Sequence, residues 1–277
     1  MSSSSQSSFY DEETIVNQVT TIYNLLLKLS YFSPAQVIFP PEGGHNINEE
    51  LCHSLHIAPQ VISLMKRIPY PTDGYHKPIL WQSRAFEYLD DREIRNGRDP
   101  ELTDAADDDE LRLDFLRPWE VALTCWLDDG ISVILDTKSK SANYKRDIIR
   151  IIDESDPVEG DFREETEAHN APAYLQKIID DIQNLEIVYF AGGDIGYLHL
   201  PGTWEQTEVK RVLTEDFGWG AEFREEDWRR EGEAICKAIG DEGLDRGGRE
   251  TKKCYTGELY IVITFEDNLT AELEILL

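Results

Sequence analysis

Basic residues are scarce in this chain. Its 277 residues carry 27 Lys and Arg against 55 Asp and Glu, a formal net charge of −28. Such a surplus repels nucleic-acid phosphate and anionic lipid at long range. Direct nucleic-acid binding needs a concentrated basic face. The longest basic cluster, Arg246 to Lys253, is interrupted by Gly and Glu. Neither a nucleic acid nor a membrane is therefore an expected partner. A basic protein is a permitted one, although solubility alone is the preferred reading of the charge.

Cysteine is also sparse. Cys52, Cys125, Cys236 and Cys254 include no CxxC pair and no zinc-ribbon spacing. Cys125 and Cys236 sit in apolar settings and read as buried thiols. No apolar run approaches the roughly 20 residues of a membrane span. The opening MSSSSQSSFYDEET has neither a basic region nor an apolar core of the signal-peptide type. The expectation is a soluble, cytoplasmic or nuclear protein.

The signatures of several chemistries are missing. There is no GxSxG and no HExxH. His53 and His56 stand one helical turn apart beside Cys52, with His45 upstream, but a fourth ligand is lacking and surface or capping roles are preferred. AGGDIGYLHLPG, residues 191–202, resembles half of a phosphate loop. Without a following Lys-Ser/Thr it reads instead as a tight turn and a short strand. No cofactor and no metal is expected.

What is present is a succession of amphipathic elements. Ile15, Val19, Ile22, Leu26 and Leu29 recur at helical spacing, with Tyr23 beside them. Asn48 is placed to cap a short helix, and Pro59 to open the next. Ala122–Leu127 and Ile131–Leu135 read as two strands joined at Asp129-Gly130, with 147–152 as a third strand of a meander. Asp128, Asp129 and Asp136 are then bends rather than reagents, with Asp136 suited to an Asx-turn. Helices are predicted over 173–185, after Thr203, and over 225–239, followed by a Gly-rich loop at 240–248. Strict alternation over 259–265 and 269–277 predicts a C-terminal hairpin.

These elements predict an α+β fold, an antiparallel sheet (central meander plus C-terminal hairpin) with helices packed on it. Residues 1–8 read as a disordered Ser-rich tail and 9–277 as a single domain. Two acidic loops fall near 90–114 and 153–167.

The succession VISLMKRIPY, VALTCWLDDGISVILDTKS, AYLQKIIDDIQNL and VKRVLTEDFGWGAEFREEDW resembles a group of uncharacterised fungal proteins over roughly residues 20–240. Its middle is faintly similar to the SUKH superfamily. The SUKH resemblance implies an α+β binding protein rather than an enzyme. It carries no site residue across.

Two functions follow as expectations. The first is a non-catalytic acidic protein-interaction or regulatory module whose acidic loops engage a basic partner or maintain solubility. The alternative is a small-molecule enzyme of fungal metabolism, with a pocket near Tyr70–Trp81 and Gly192–His199. His76 and His199 are its candidate polar groups. Trp81, Trp204 and Trp219 are candidate binding aromatics, Trp219 as an anchor between two glycines.

Overall fold

In the computed structural model, the described residues are 10–72, 77–80, 82–102, 111–127, 130–138, 147–156, 159–192, 195–199, 202–245, 251–255, 260–265 and 271–276. The Ser-rich stretch 1–8 lies outside them.

The first helix, α1, spans Glu12–Lys28. Asp11 caps it by accepting from the Thr14 N–H, and Glu12 and Glu13 lie in the first turn, where the helix dipole favours acids. Its apolar stripe buries Ile15, Ile22, Tyr23 and Leu26. A two-residue strand β1 (Val37–Ile38) follows. Helix α2 (Glu49–Ser54) is capped by Asn48, and α3 (Pro59–Arg67) opens on its proline, both as predicted. Strand β2 (Tyr70–Pro71) then pairs antiparallel with β1.

Strand β3 (Ser83–Ala85) precedes a helix where a loop is predicted. That helix, α4 (Asp91–Asn96), is started by Asp90, whose carboxylate accepts from the Arg92 and Glu93 N–H groups. Acid density at a helix start is a capping signal as well as a solubility signal, and here capping prevails.

The predicted strand 122–127 is in fact two strands. β4 (Glu120–Ala122) pairs with β6 (Ile131–Asp136), whereas β5 (Thr124–Trp126) pairs with β3. The break at Leu123–Thr124 has a chemical cause. The Thr124 hydroxyl takes the Val133 N–H at 3.0 Å and the Ser132 hydroxyl takes the Trp126 N–H at 3.3 Å. Side-chain oxygens thus replace backbone acceptors, and the ladder changes partner. The meander continues through β7 (Ile148–Asp153) to β8 (His169–Asn170), giving the antiparallel order β4-β6-β7-β8. A one-turn helix α5 (Phe162–Glu165) interrupts the second predicted acidic loop and buries Phe162.

Helix α6 (Ala171–Gln183) packs against α1 and buries Leu175, Ile178, Ile179 and Ile182. β9 (Val188–Gly192) and β10 (Ile195–His199) pair antiparallel, so the described part of the Gly-rich segment is strand, and 193, 194, 200 and 201 lie outside the described residues. Thr203 caps α7 (Trp204–Arg211), which runs into a π-helical turn at Val212–Asp216. Helix α8 spans Glu225–Asp245, so it continues through Gly240 and Gly243 where a loop is predicted. Trp228 and Ile239 are buried on it, but Ala238 faces solvent. The predicted hairpin is present as β12 (Tyr260–Phe265) and β13 (Ala271–Leu276), joined by an additional strand β11 (Thr251–Tyr255).

The architecture is α+β, with antiparallel sheets and helices packed on sheet. One continuous apolar cluster runs from Ile15 in α1 to Ile239 in α8. Among the described residues no helix is long and apolar enough to cross a membrane.

Candidate functional site

The stretch that follows α4 is fixed by arginines. Arg98 is 3% exposed, and its guanidinium donates to the carbonyls of Glu120 at 3.1 Å, Arg117 at 3.2 Å and Leu116. Asp99 is fully buried, and both its carboxylate oxygens accept from Arg112, at 2.7 and 2.8 Å. Arg84 grips Glu93 through two hydrogen bonds of 2.7 and 3.2 Å. Arg163 of α5 pairs with buried Glu120 of β4 and with Asp161. Forked guanidinium contacts of this kind satisfy a buried carboxylate on two oxygens at once. The acids closest to the sheet are therefore construction elements and are not offered to a partner.

The acids of 154–167 behave differently. Glu154, Asp156, Glu159, Glu164, Glu165 and Glu167 are exposed, and no ion pair reaches them among the described residues. Their backbone is nevertheless held. The Asp153 carboxylate accepts from the Ser155 N–H at 2.9 Å, and the Glu154 N–H donates to the Gly130 carbonyl at 3.0 Å. α5 is seated by Phe162, which stacks on Phe115 at 5.4 Å. Glu154 and Asp156 thus sit on a hydrogen-bonded turn, and Glu164 and Glu165 on α5.

A cavity of about 50 Å³ lies between α1, α6 and the β3–β6 region. It is lined by apolar side chains such as Ile22, Phe86, Leu123, Val133 and Ile178, together with Tyr23, Tyr70 and Thr124. Tyr70, Ile79 and Leu80 of its lining fall within the segment Tyr70–Trp81 named from the sequence, whereas the side chains of 192–199 lie outside the described residues. Among the described residues that line it, the ionisable groups are the two tyrosines. Burial pushes the pKa of each upward and keeps both neutral.

His76 and Trp81 lie outside the described residues. The backbone of His199 sits on β10 opposite Val188, and its side chain is likewise outside them. Trp204 packs at the first turn of α7 against the apolar cluster. Trp219 is held by contacts within the chain. Its indole N–H donates to the Gln183 carbonyl at 2.8 Å, Phe223 meets it edge-on at 4.9 Å, and the Lys28 ammonium lies 4.9 Å from its ring centre. Gly218 and Gly220 have positive φ, 70° and 110°, and supply the bend. Trp219 and Trp204 are not among the residues that line the cavity.

The histidine trio does not form a centre. His45 is buried and bonded through Nε2 to the Ile68 carbonyl at 2.9 Å, whereas His53 and His56 are exposed. No group of three potential metal ligands occurs among the described residues. Asp128 and Asp129 lie outside these residues. Asp136 forms the predicted Asx-turn, accepting from the Lys138 N–H at 2.8 Å.

Tyr23, read from the sequence as a neighbour of the α1 apolar stripe, lines the cavity. Comparison with protein families, with curated proteins and with solved structures finds no match to this chain.

Proposed function

We propose that this protein is a non-catalytic interaction or regulatory module that presents the acidic strip 154–167 to a basic protein surface. The observation that carries the reading is a division of labour among the acids. Glu93, Asp99 and Glu120 are consumed by arginines, whereas Glu154, Asp156 and Glu159 stand exposed and unpaired on an ordered frame. Exposed like charges on fixed backbone steer a complementary partner and set its orientation. The SUKH resemblance implies a binding protein as well. The enzyme alternative draws no support from the cavity, whose lining among the described residues holds no acid or base beyond its tyrosines.

Titration with a Lys- and Arg-rich peptide at low and high salt tests the proposal. Binding is expected to weaken steeply with salt, and to weaken further when Glu154→Gln, Asp156→Asn and Glu159→Gln are combined. A control triple of equal charge change, Glu222→Gln, Glu233→Gln and Asp241→Asn, removes acids elsewhere on the surface. Equal loss in both variants, or binding indifferent to salt, refutes the assignment of the strip.

A further inference from the structure

We propose that Trp219 and Phe223 form a recognition site for a trimethylammonium group, and that Lys28 of the same chain occupies it as a displaceable stand-in. This site stands apart from the acidic strip, and neither depends on the other.

The walls of the site are fixed. The Trp219 indole N–H donates to the Gln183 carbonyl at 2.8 Å, and its backbone N–H to the Leu213 carbonyl at 2.9 Å. Phe223 meets it edge-on, with the ring planes 77° apart and the centres 4.9 Å apart. The turn that carries both rings is closed by the Arg224 N–H on the Phe217 carbonyl at 2.9 Å. The two rings bound a corner that is already in place for a guest.

The corner holds a cation now. The Lys28 ammonium lies 4.9 Å from the Trp219 ring centre and 5.3 Å from that of Phe223. Cation–π attraction reaches about 6 Å. Lys28 is half-buried, and among the described residues its ammonium makes no hydrogen bond or ion pair. The rings alone hold it, at the end of a long flexible stem. Fixed walls and a loosely held occupant describe a site whose guest exchanges. The local field favours a cation as well. Lys28 ends α1 and Gln183 ends α6, so two helix C-termini meet here, each with partial negative charge.

The competing guest is defined by what Lys28 lacks. A primary ammonium is compact and strongly hydrated, and it loses water reluctantly. A trimethylammonium group has the same charge, is weakly hydrated and offers methyl groups to both rings. Aromatic side chains recognise quaternary ammonium ions in this way. Trp219 and Phe223 are only half-buried, so the corner is open on its outer side. It therefore suits the terminal group of a longer molecule whose remainder stays in solvent.

Choline titrated into the full chain tests the site, with the Trp219 indole N–H signal followed by NMR at constant ionic strength. Dimethylbutanol, its uncharged tert-butyl counterpart, is the comparison. Choline is expected to shift the signal saturably and to bind at least about fivefold more tightly than the alcohol. Lys28→Met keeps the stem and removes the ammonium. It is expected to tighten choline about threefold by removing the competitor. Phe223→Leu is expected to weaken choline by at least as much. Trp219→Leu, followed through backbone amides, serves instead if Phe223→Leu does not retain a native spectrum. A peptide carrying trimethyllysine, run beside its unmethylated form, separates a protein source of the group from a small free amine. Shifts that never saturate, equal binding of choline and the alcohol, or an affinity unchanged in Lys28→Met each overturn the proposal. Binding confined to Lys28→Met overturns it too, because Lys28 is then a permanent occupant.

Discussion

Arg163 and Glu120 form a double contact across the gap between α5 and β4, with the Arg163 Nε donating to one carboxylate oxygen at 2.8 Å and the terminal nitrogen to the other. Glu120 is 1% exposed, and it also accepts from the Arg117 N–H at 2.8 Å. The pair fastens the acidic segment to the edge of the central sheet. Truncating one partner leaves the other buried and uncompensated. Arg163→Met is expected to destabilise the fold by about 3–5 kcal/mol, measured by urea unfolding. Combining it with Glu120→Leu is expected to recover most of that loss. A single variant as stable as the parent contradicts the clamp.

Gly130 sits under the carbonyl of Gln82, and a Cβ built there would lie 1.8 Å from that oxygen. Gln82 itself is held at φ 44°. Backbone against backbone leaves no room to yield, so Gly130→Ala is expected to lower the melting temperature sharply. Gly43 is the control. It has φ 95° with open space around it, so Gly43→Ala incurs conformational strain alone, about 1 kcal/mol. Equal shifts in the two variants refute the steric account.

His45 makes stability depend on acidity. Burial lowers its pKa, and the hydrogen bond to the Ile68 carbonyl opposes that shift without cancelling it. The folded state thus prefers the neutral ring, while the unfolded chain takes up a proton near pH 6.5. The contribution is intact above that pH and is lost as pH falls through it toward the lower folded value. His45→Gln is expected to flatten the slope of stability against pH over that interval. An unchanged slope excludes His45 as its source.

The thiols of Cys52 and Cys236 are expected to be unreactive in the native state. Burial raises them to about 11 and about 12, respectively, with Glu49 adding to the effect at Cys52. Cys125 is fully buried. In a Cys254→Ser variant, a thiol-specific reagent is expected to label the native protein only at the rate of its unfolding. Rapid labelling of a native residue contradicts this.

Much of the fold was legible where a local rule and the tertiary environment agree. The α1 stripe, the Asn48 and Thr203 caps, the Pro59 start and the β6–β7 pair each follow from a few adjacent residues. The acidic segments were misread as plain loops because Asp90 and Asp161 are helix caps whose helices are only one or two turns long. Charge density concealed both. The switch at Thr124 was not legible, because its hydroxyl finds Val133 only once the ladder is already formed. α8 overran its predicted end because Trp228, with its indole N–H on the Leu29 carbonyl at 2.7 Å, and Cys236 seat it on the core. Tertiary packing there outweighs the weak helix propensity of glycine.

The candidate site was less accessible to reading. Tyr23 has the spacing of a core residue, and nothing adjacent to it in sequence signals the cavity that it lines. The anchoring of Trp219 was visible in its flanking glycines. That it lies apart from the cavity was not.

The partner change at Leu123–Thr124 has a mechanical consequence. One uninterrupted length of backbone belongs to two ladders, so neither can slide without dragging the other. Leu123 and Thr124 also form part of the cavity wall. A change of side chain there bears on the joint itself, and reaches β6 on one side and β3 on the other.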